Sequence, residues 1–229
     1  MQPRSMLICG NPLKVAEATP RKMNHSGTVF LVDDDSSVRR ALTRLIKSAG
    51  YSVQAFGSAR EFLEYRRVTD ERLACLVLDV RMPGLSGLDL QQELQATDES
   101  LPIIFITGHG NIPMGIKAMK DGAVDFLPKP VKDSVLLDAI EQALARAALE
   151  QGERQEVENL QTRLDTLTPR EREVMSLVVR GLLNKQIAFQ LGTGEKTVKV
   201  HRARVMEKMK VQSLPELVRI AQRVGIGPL

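Results

Sequence analysis

Four apolar runs, each ending in a polar or charged residue, punctuate residues 28–130, and this rhythm limits the possible folds more than any total does. Thr28-Val29-Phe30-Leu31-Val32 runs into Asp33-Asp34-Asp35, and Leu76-Val77-Leu78 ends at Asp79 before Val80-Arg81-Met82-Pro83-Gly84. Ile103-Ile104-Phe105-Ile106 runs into Thr107-Gly108, and Val124-Asp125-Phe126-Leu127 into Pro128-Lys129-Pro130. Short apolar runs bounded by Gly and Pro read as buried strands. Helix-spaced segments lie between them. Val38, Leu42, Leu45, Ile46 and Ala49 repeat at helical period, with Ser36 or Ser37 able to cap the start and Gly50 to stop it. A short strand at 52–56, helices at 58–65, 87–96 and 112–121, and a last helix from Lys132 complete five strands and five helices. Such alternation predicts a parallel α/β sheet covered on both faces. The carboxyl ends of its strands share one edge, where ligands bind.

Asp33, Asp34, Asp79, Thr107 and Lys129 are therefore expected to converge on one crevice. Clustered carboxylates repel one another unless a cation neutralises them, and a few oxygen ligands completed by water suit Mg²⁺. A carboxylate beside that ion can accept a phosphoryl group. An ammonium can hold the phosphate as a point charge, and a threonine hydroxyl can donate to its oxygen. Any one of these residues alone reads as a helix cap or a solvated lysine; four at successive strand ends read as a site. Asp35 is the extra acid and is expected to cap the first helix. His109 reads as a loop residue, since no second histidine sits at ligand spacing.

Residues 28–148 resemble the receiver domain of bacterial two-component response regulators, with its CheY-like, flavodoxin-type fold. The likeness is carried by Val32-Asp33-Asp34-Asp35, Leu78-Asp79-Val80-Arg81-Met82-Pro83-Gly84, Ile106-Thr107-Gly108-His109-Gly110 and Phe126-Leu127-Pro128-Lys129-Pro130. The resemblance implies that Asp79 accepts phosphate from a sensor histidine kinase. It implies that Mg²⁺ is bound by Asp34 directly, by Asp33 largely through water, and by the Arg81 carbonyl, with Asp79 completing the set. Lys129 would pair with the phosphate and precede a cis peptide bond. Thr107 and Phe126 would form the switch.

Charge separates the rest of the chain. Residues 168–229 hold 12 Lys/Arg against 5 Asp/Glu, a balance of +7. Residues 1–22 hold four basic residues and one acid, leaving −6 for residues 23–167 of the overall +4. An acidic middle and a basic end suggest two domains with different partners, the second a polyanion. Thr168-Pro169-Arg170-Glu171 reads as a capped helix start. Helices 184–191 and 195–209 flank Gly192-Thr193-Gly194 in helix-turn-helix spacing, and a last helix spans 213–224. Lys196, Lys199, Val200, Arg202, Arg204 and Lys208 alternate with core positions of the second helix. Basic side chains there neutralise phosphates, and those near the helix N-terminus reach base edges.

Leu167-Thr168-Pro169-Arg170-Glu171-Arg172-Glu173-Val174, Asn184-Lys185-Gln186-Ile187-Ala188 and Thr197-Val198-Lys199-Val200-His201-Arg202 resemble the LuxR-type DNA-binding domain. Together the two likenesses identify a regulator of the FixJ/NarL group. They imply base contacts from Lys199 and Val200. Phosphate contacts would come from Lys196, Thr197, Arg202, Arg204 and Lys208, with Lys185 contributing from the preceding helix. Ala203 stands where relatives carry Lys, so sequence preference should differ. A dimer of this domain would pack through Leu214, Leu217 and Val218. The implied partners are promoter DNA, the cognate kinase, RNA polymerase and, once phosphorylated, a second copy; the implied role is activation of transcription.

The expected organisation is a disordered extension (1–26), a receiver domain (27–148), a helical linker (149–165) and an all-α helix-turn-helix domain (166–229). Residues 1–26 lack periodicity and contain Pro3, Pro12 and Pro20, and Met23 is an alternative start. In the linker, Leu137, Ile140, Leu144 and Ala147 hold a pattern that breaks at Gln151-Gly152 and resumes at Val157, Leu160 and Leu164. No run approaches a membrane span and no signal peptide is evident, so a cytoplasmic chain is expected. Cys9 and Cys75 match no metal spacing and read as reduced thiols. An enzyme of the haloacid-dehalogenase phosphatase kind needs a second acid two residues after its nucleophile; Arg81 occupies that place.

Overall fold

A computed structural model describes residues 27–66, 73–97, 101–108 and 112–226. The residues of the expected N-terminal extension, and His109, lie outside this set. Five parallel strands, β1 (Thr28–Val32), β2 (Ser52–Phe56), β3 (Ala74–Asp79), β4 (Ile103–Thr107) and β5 (Asp125–Pro128), form one sheet in the order β2-β1-β3-β4-β5. That is the flavodoxin-like order, in which the winding reverses beside β1 and opens a crevice at the carboxyl edge between β1 and β3.

Alternate strand residues feed two cores. Phe30, Leu76, Leu78, Ile103 and Phe105 face one side, under Ala59 and Phe62 of α2 (Ala59–Arg66), Leu90 and Leu94 of α3 (Gly87–Ala96), and Ala118 of α4 (Ile112–Lys120). Val29, Leu31, Cys75, Val77, Ile104 and Ile106 face the other. There they meet Ile46 of α1 (Ser36–Ser48) and Leu136, Ala139, Ile140 and Ala143 of α5 (Asp133–Asp165). Both faces of the strands are buried, which is why β1, β3 and β4 read as continuous apolar runs rather than as alternating ones. Burial pushes the Cys75 thiol up to about 12, so it is an inert core side chain.

The α1 N-cap is Asp35, whose Oδ1 accepts from the Ser37 and Val38 N–H groups at 2.7 and 3.3 Å; neither Ser36 nor Ser37 takes that place. The apolar pattern breaks at Gln151-Gly152 but the helix does not: α5 runs unbroken for 33 residues, through the stretch expected as a helical linker. A glycine inside a helix costs only about 1 kcal/mol, and turns on both sides of Gly152 are anchored. Leu144 and Ala147 are buried with the sheet, while Leu160 and Leu164 are buried at the other end.

Leu164 and Leu167 belong to a third core, built with α6 (Pro169–Val179), α7 (Asn184–Gln190), α8 (Glu195–Met209) and α9 (Leu214–Arg223). Thr168 and Glu171 form a reciprocal capping box at the start of α6, with Pro169 in its first turn, as the sequence predicts. Arg170 Nη2 donates to the Leu191 carbonyl at 2.6 Å, tying α6 to the end of α7. Arg163 of α5 donates to the Met209 carbonyl at 3.3 Å, so the end of the long helix grips the end of α8.

Candidate functional site

The register of the sheet places the chemistry. Val32 pairs with Leu78, Asp79 with Ile106 and Thr107 with Pro128, so Asp33, Asp79, Thr107 and Lys129 come side by side along one edge. Asp33, Asp79 and Thr107 are buried, and Asp34 is exposed at the rim. Lys129 Nζ lies 2.7 Å from Asp33 Oδ2 and 2.7 Å from Asp79 Oδ2. Its peptide bond to Pro130 is cis, as the resemblance implied, and its own N–H donates to the Thr107 carbonyl at 2.7 Å.

Carboxylate oxygens of Asp33, Asp34 and Asp79 lie within 4.8 Å of one another. That is close to the roughly 4 Å that spans an octahedral Mg²⁺ shell. Three carboxylates against one ammonium leave the pocket short of positive charge. Burial pushes the Asp33 carboxyl above its ordinary value in spite of the Lys129 hydrogen bond, and the Asp79 charge adds to that. Burial alone would lower Lys129, yet its hydrogen bonds to Asp33 and Asp79 prevail and hold the ammonium above its ordinary value. A hard, oxygen-seeking cation fits this donor set. The Arg81 N–H donates to Asp79 Oδ1 at 3.2 Å, which orients that carboxylate from below.

Phe126 is half-buried, its ring centroid 6.2 Å from that of Phe105, and it abuts α4 at Gly115, where an added Cβ would stand 3.3 Å from the ring. Two residues escaped the sequence reading. A Cβ on Gly87 would fall 2.3 Å from the Asp79 carbonyl oxygen, so α3 can begin against β3 only with glycine there. Arg39 of α1 donates to the carbonyls of Asp33 and Asp34. For Gly87 the sequence held a cue in Leu85-Ser86-Gly87, directly ahead of a capped helix; for Arg39 it held none.

In the helical domain, Lys185, Lys196, Thr197, Lys199 and Arg204 are exposed, and Val200 is 50% exposed. Lys196, Lys199, Val200 and Arg204 fall on one stripe of α8, opposite the buried Val198, Val205 and Met209. Two candidates are engaged inside the domain. Arg202 donates to Asn184 Oδ1 at 3.2 Å. Lys208 lies 2.6 Å from Glu171 Oε2 and 2.9 Å from the Thr166 carbonyl. Lys208 is thus bound to the domain's own frame rather than held out for phosphate. Leu217 corrects a further expectation: it is fully buried in the domain's own core, whereas Leu214 and Val218 pack against that core but remain half-buried.

Residues 29–141 match the response regulator receiver domain, and residues 165–221 match the bacterial regulatory proteins of the luxR family. The chain is 52% identical over 199 residues to Nodulation protein W of Bradyrhizobium diazoefficiens, covering 87% of each protein. It is 45% identical over 201 residues to the transcriptional regulatory protein FixJ of Rhizobium meliloti, covering 88% of this chain and 98% of that one. The solved structure of the response regulator StyR aligns with a TM-score of 0.76 at 50% identity, covering 86% of this chain and 98% of that one. The chain belongs to the two-component response regulators that join a receiver domain to a LuxR-type DNA-binding domain. It is a transcription regulator, with a sensor kinase and DNA as the partners its domains imply. Among the described residues, no helix is long and apolar enough to cross a membrane.

Proposed function

We propose that Asp79 accepts a phosphoryl group from a sensor kinase histidine with Mg²⁺ bound, and that this switches the protein toward a dimer that binds promoter DNA. The observation that carries this reading is the single Lys129 ammonium shared between Asp33 and Asp79. Asp33, Asp34, Asp79 and the Arg81 carbonyl would hold the ion, which supplies positive charge to offset that of the incoming phosphoryl oxygens. An Asp79 carboxylate oxygen attacks phosphorus, the P–N bond to the kinase imidazole breaks, and the imidazole leaves with its electron pair. Lys129 is then released from Asp79 to hold a phosphoryl oxygen, and Thr107 donates its hydroxyl to another. Phe126, already against α4, follows Thr107 inward and shifts that helix.

The surface available to a second copy is apolar. On α4, Ile112, Ile116 and Met119 are 80%, 51% and 46% exposed at spacings of four and three, one stripe of the helix. Pairing there would bring two α8 helices onto half-sites about one DNA turn apart. Lys199 and Val200 would read bases; Lys185, Lys196, Thr197 and Arg204 would hold phosphates. Activation through contact with RNA polymerase, in the cytoplasm, completes the reading, with receiver, linker and DNA-binding units at residues 27–148, 149–165 and 166–229.

The test is a gel shift on genomic promoter fragments with acetyl phosphate and Mg²⁺. The wild type should gain affinity and dimerise, and Asp79→Asn should do neither. An Asp79→Asn protein that responds like the wild type overturns the proposal.

A further inference from the structure

We infer that Arg39 is a positioning residue that sets the affinity of the acidic pocket for Mg²⁺; the inference rests on the reading of Asp33, Asp34 and Asp79 as the ion's ligands. Arg39 lies in the first turns of α1, half-buried, and sends its side chain back over the loop that carries two of those acids. Its Nη1 donates to the Asp33 carbonyl and, at 3.3 Å, to the Asp34 carbonyl. A carbonyl oxygen and the next residue's N–H share one rigid plane. Fixing those two oxygens therefore fixes the peptide planes on both sides of Asp34 and, with them, the direction in which its side chain leaves the backbone.

The rest of the loop is anchored by other groups. The Asp33 N–H donates to the Phe56 carbonyl at 3.3 Å, and the Asp35 N–H donates to Asp33 Oδ1 at 2.9 Å. Asp35 is committed to capping α1. Asp34 has no such anchor of its own among these bonds, and it is the exposed member of the acidic group. Three like charges within 4.8 Å push outward, and the rim residue has the most room to move. The guanidinium opposes this in two ways: it holds the backbone, and it places a permanent positive charge behind the repelling acids.

Arg39 also lies beside a second loop. A Cβ built on Gly57 would stand 3.7 Å from Arg39 Nη2 and 3.5 Å from Glu61 Oε2, and Glu61 Oε2 accepts the Gly57 N–H at 2.7 Å. The side chain thus binds the loop that follows β1 and lies against the loop that follows β2, at the same edge of the sheet. Residues that orient metal ligands without touching the ion typically change metal affinity by about 10–100-fold when removed.

The experiment titrates Mg²⁺ in acetyl phosphate labelling of the full chain, read by intact mass, for the wild type, Arg39→Met, Arg39→Gln and Arg39→Lys. Thermal unfolding in EDTA is followed in parallel. Arg39→Met should raise the half-saturating Mg²⁺ concentration about tenfold, while the labelling rate at saturating Mg²⁺ stays within about twofold. Arg39→Lys, which keeps the charge and a donor, should fall between. Arg39→Gln carries the same expectation as Arg39→Met and replaces it if the methionine variant does not fold. An unchanged half-saturation in a folded variant, or an equal loss of labelling at every Mg²⁺ concentration, overturns the positioning role. Wild-type labelling that ignores Mg²⁺ overturns the reading of the site itself, and this inference with it.

Discussion

The ε-ammonium of Lys129 stands 2.7 Å from Oδ2 of Asp79, and it also neutralises the fully buried Asp33. One side chain therefore holds two acids. Breaking a buried ion pair by removing one partner typically costs about 3–5 kcal/mol. With its side chain 20% exposed, Lys129 should sit near the lower end. Lys129→Met is expected to lose about 3 kcal/mol in EDTA and to recover part of that in millimolar Mg²⁺, more than the wild type gains. Guanidinium unfolding curves with and without Mg²⁺ check this; a variant as stable as the wild type in EDTA contradicts it.

Gly87 offers a steric test of the same pocket. Its absent Cβ would lie 2.3 Å from the Asp79 carbonyl oxygen, well inside van der Waals contact, and the backbone has to shift to admit one. Gly87→Ala should lose about 2–3 kcal/mol, the upper part of the range for overpacking. It should also label more slowly at Asp79, because the displaced backbone carries the acceptor. Urea unfolding and the initial labelling rate, measured on one preparation, read both effects.

Acid should weaken the helical domain through Glu171. The hydrogen bond from Lys208, helped by the Thr168 N–H, holds its carboxyl down to about 2 against an ordinary 4.5. A lowered folded value means that ionised Glu171 stabilises fully above about pH 4.5, and that this stabilisation fades as pH falls toward 2. Glu171→Gln should be less stable than the wild type at pH 6, and the gap should close by pH 2. Circular dichroism melts across that range are the measurement; a gap that widens on acidification would refute the assignment.

Two lysines on α8 should behave differently. Lys199→Ala removes an exposed side chain from the reading stripe. It should cost roughly 1–3 kcal/mol in specific DNA affinity with an unchanged melting temperature. Lys208→Ala removes the partner of Glu171 and the Thr166 carbonyl, so it should lower the melting temperature first. Its loss of affinity should be the same for cognate and random DNA. Binding isotherms at several salt concentrations, paired with melts, separate the two.

The sheet and its site were legible because burial on both faces leaves an unbroken apolar signature and strand ends announce themselves by polarity. Asp33, Asp79 and Thr107 could each be picked out as a run's last or next residue, and Lys129 as the first charge after one. Arg39 could not, since an arginine one turn into an amphipathic helix looks like any solvated cation until its backbone targets are seen. The α8 stripe was readable by spacing, but spacing could not tell Lys199, which points out, from Lys208, which folds back on Glu171. Leu217 shows the same limit: an apolar face predicts burial without saying whether the cover is the chain itself or another copy. The continuity of α5 was legible as well, since the apolar positions on both sides of Gly152 are buried and anchor the two ends of one helix.

That unbroken α5 has a geometric corollary. At 1.5 Å per residue its 33 residues form a rod of about 50 Å, and each residue turns the far end by about 100°. The bearing of the Arg163 grip on Met209, viewed from the sheet, is therefore dictated by how many residues lie between, as on the thread of a screw. Related chains that gain or lose one residue in this stretch would present α8 on a different side of the rod, while a change of seven, close to two full turns, would restore it.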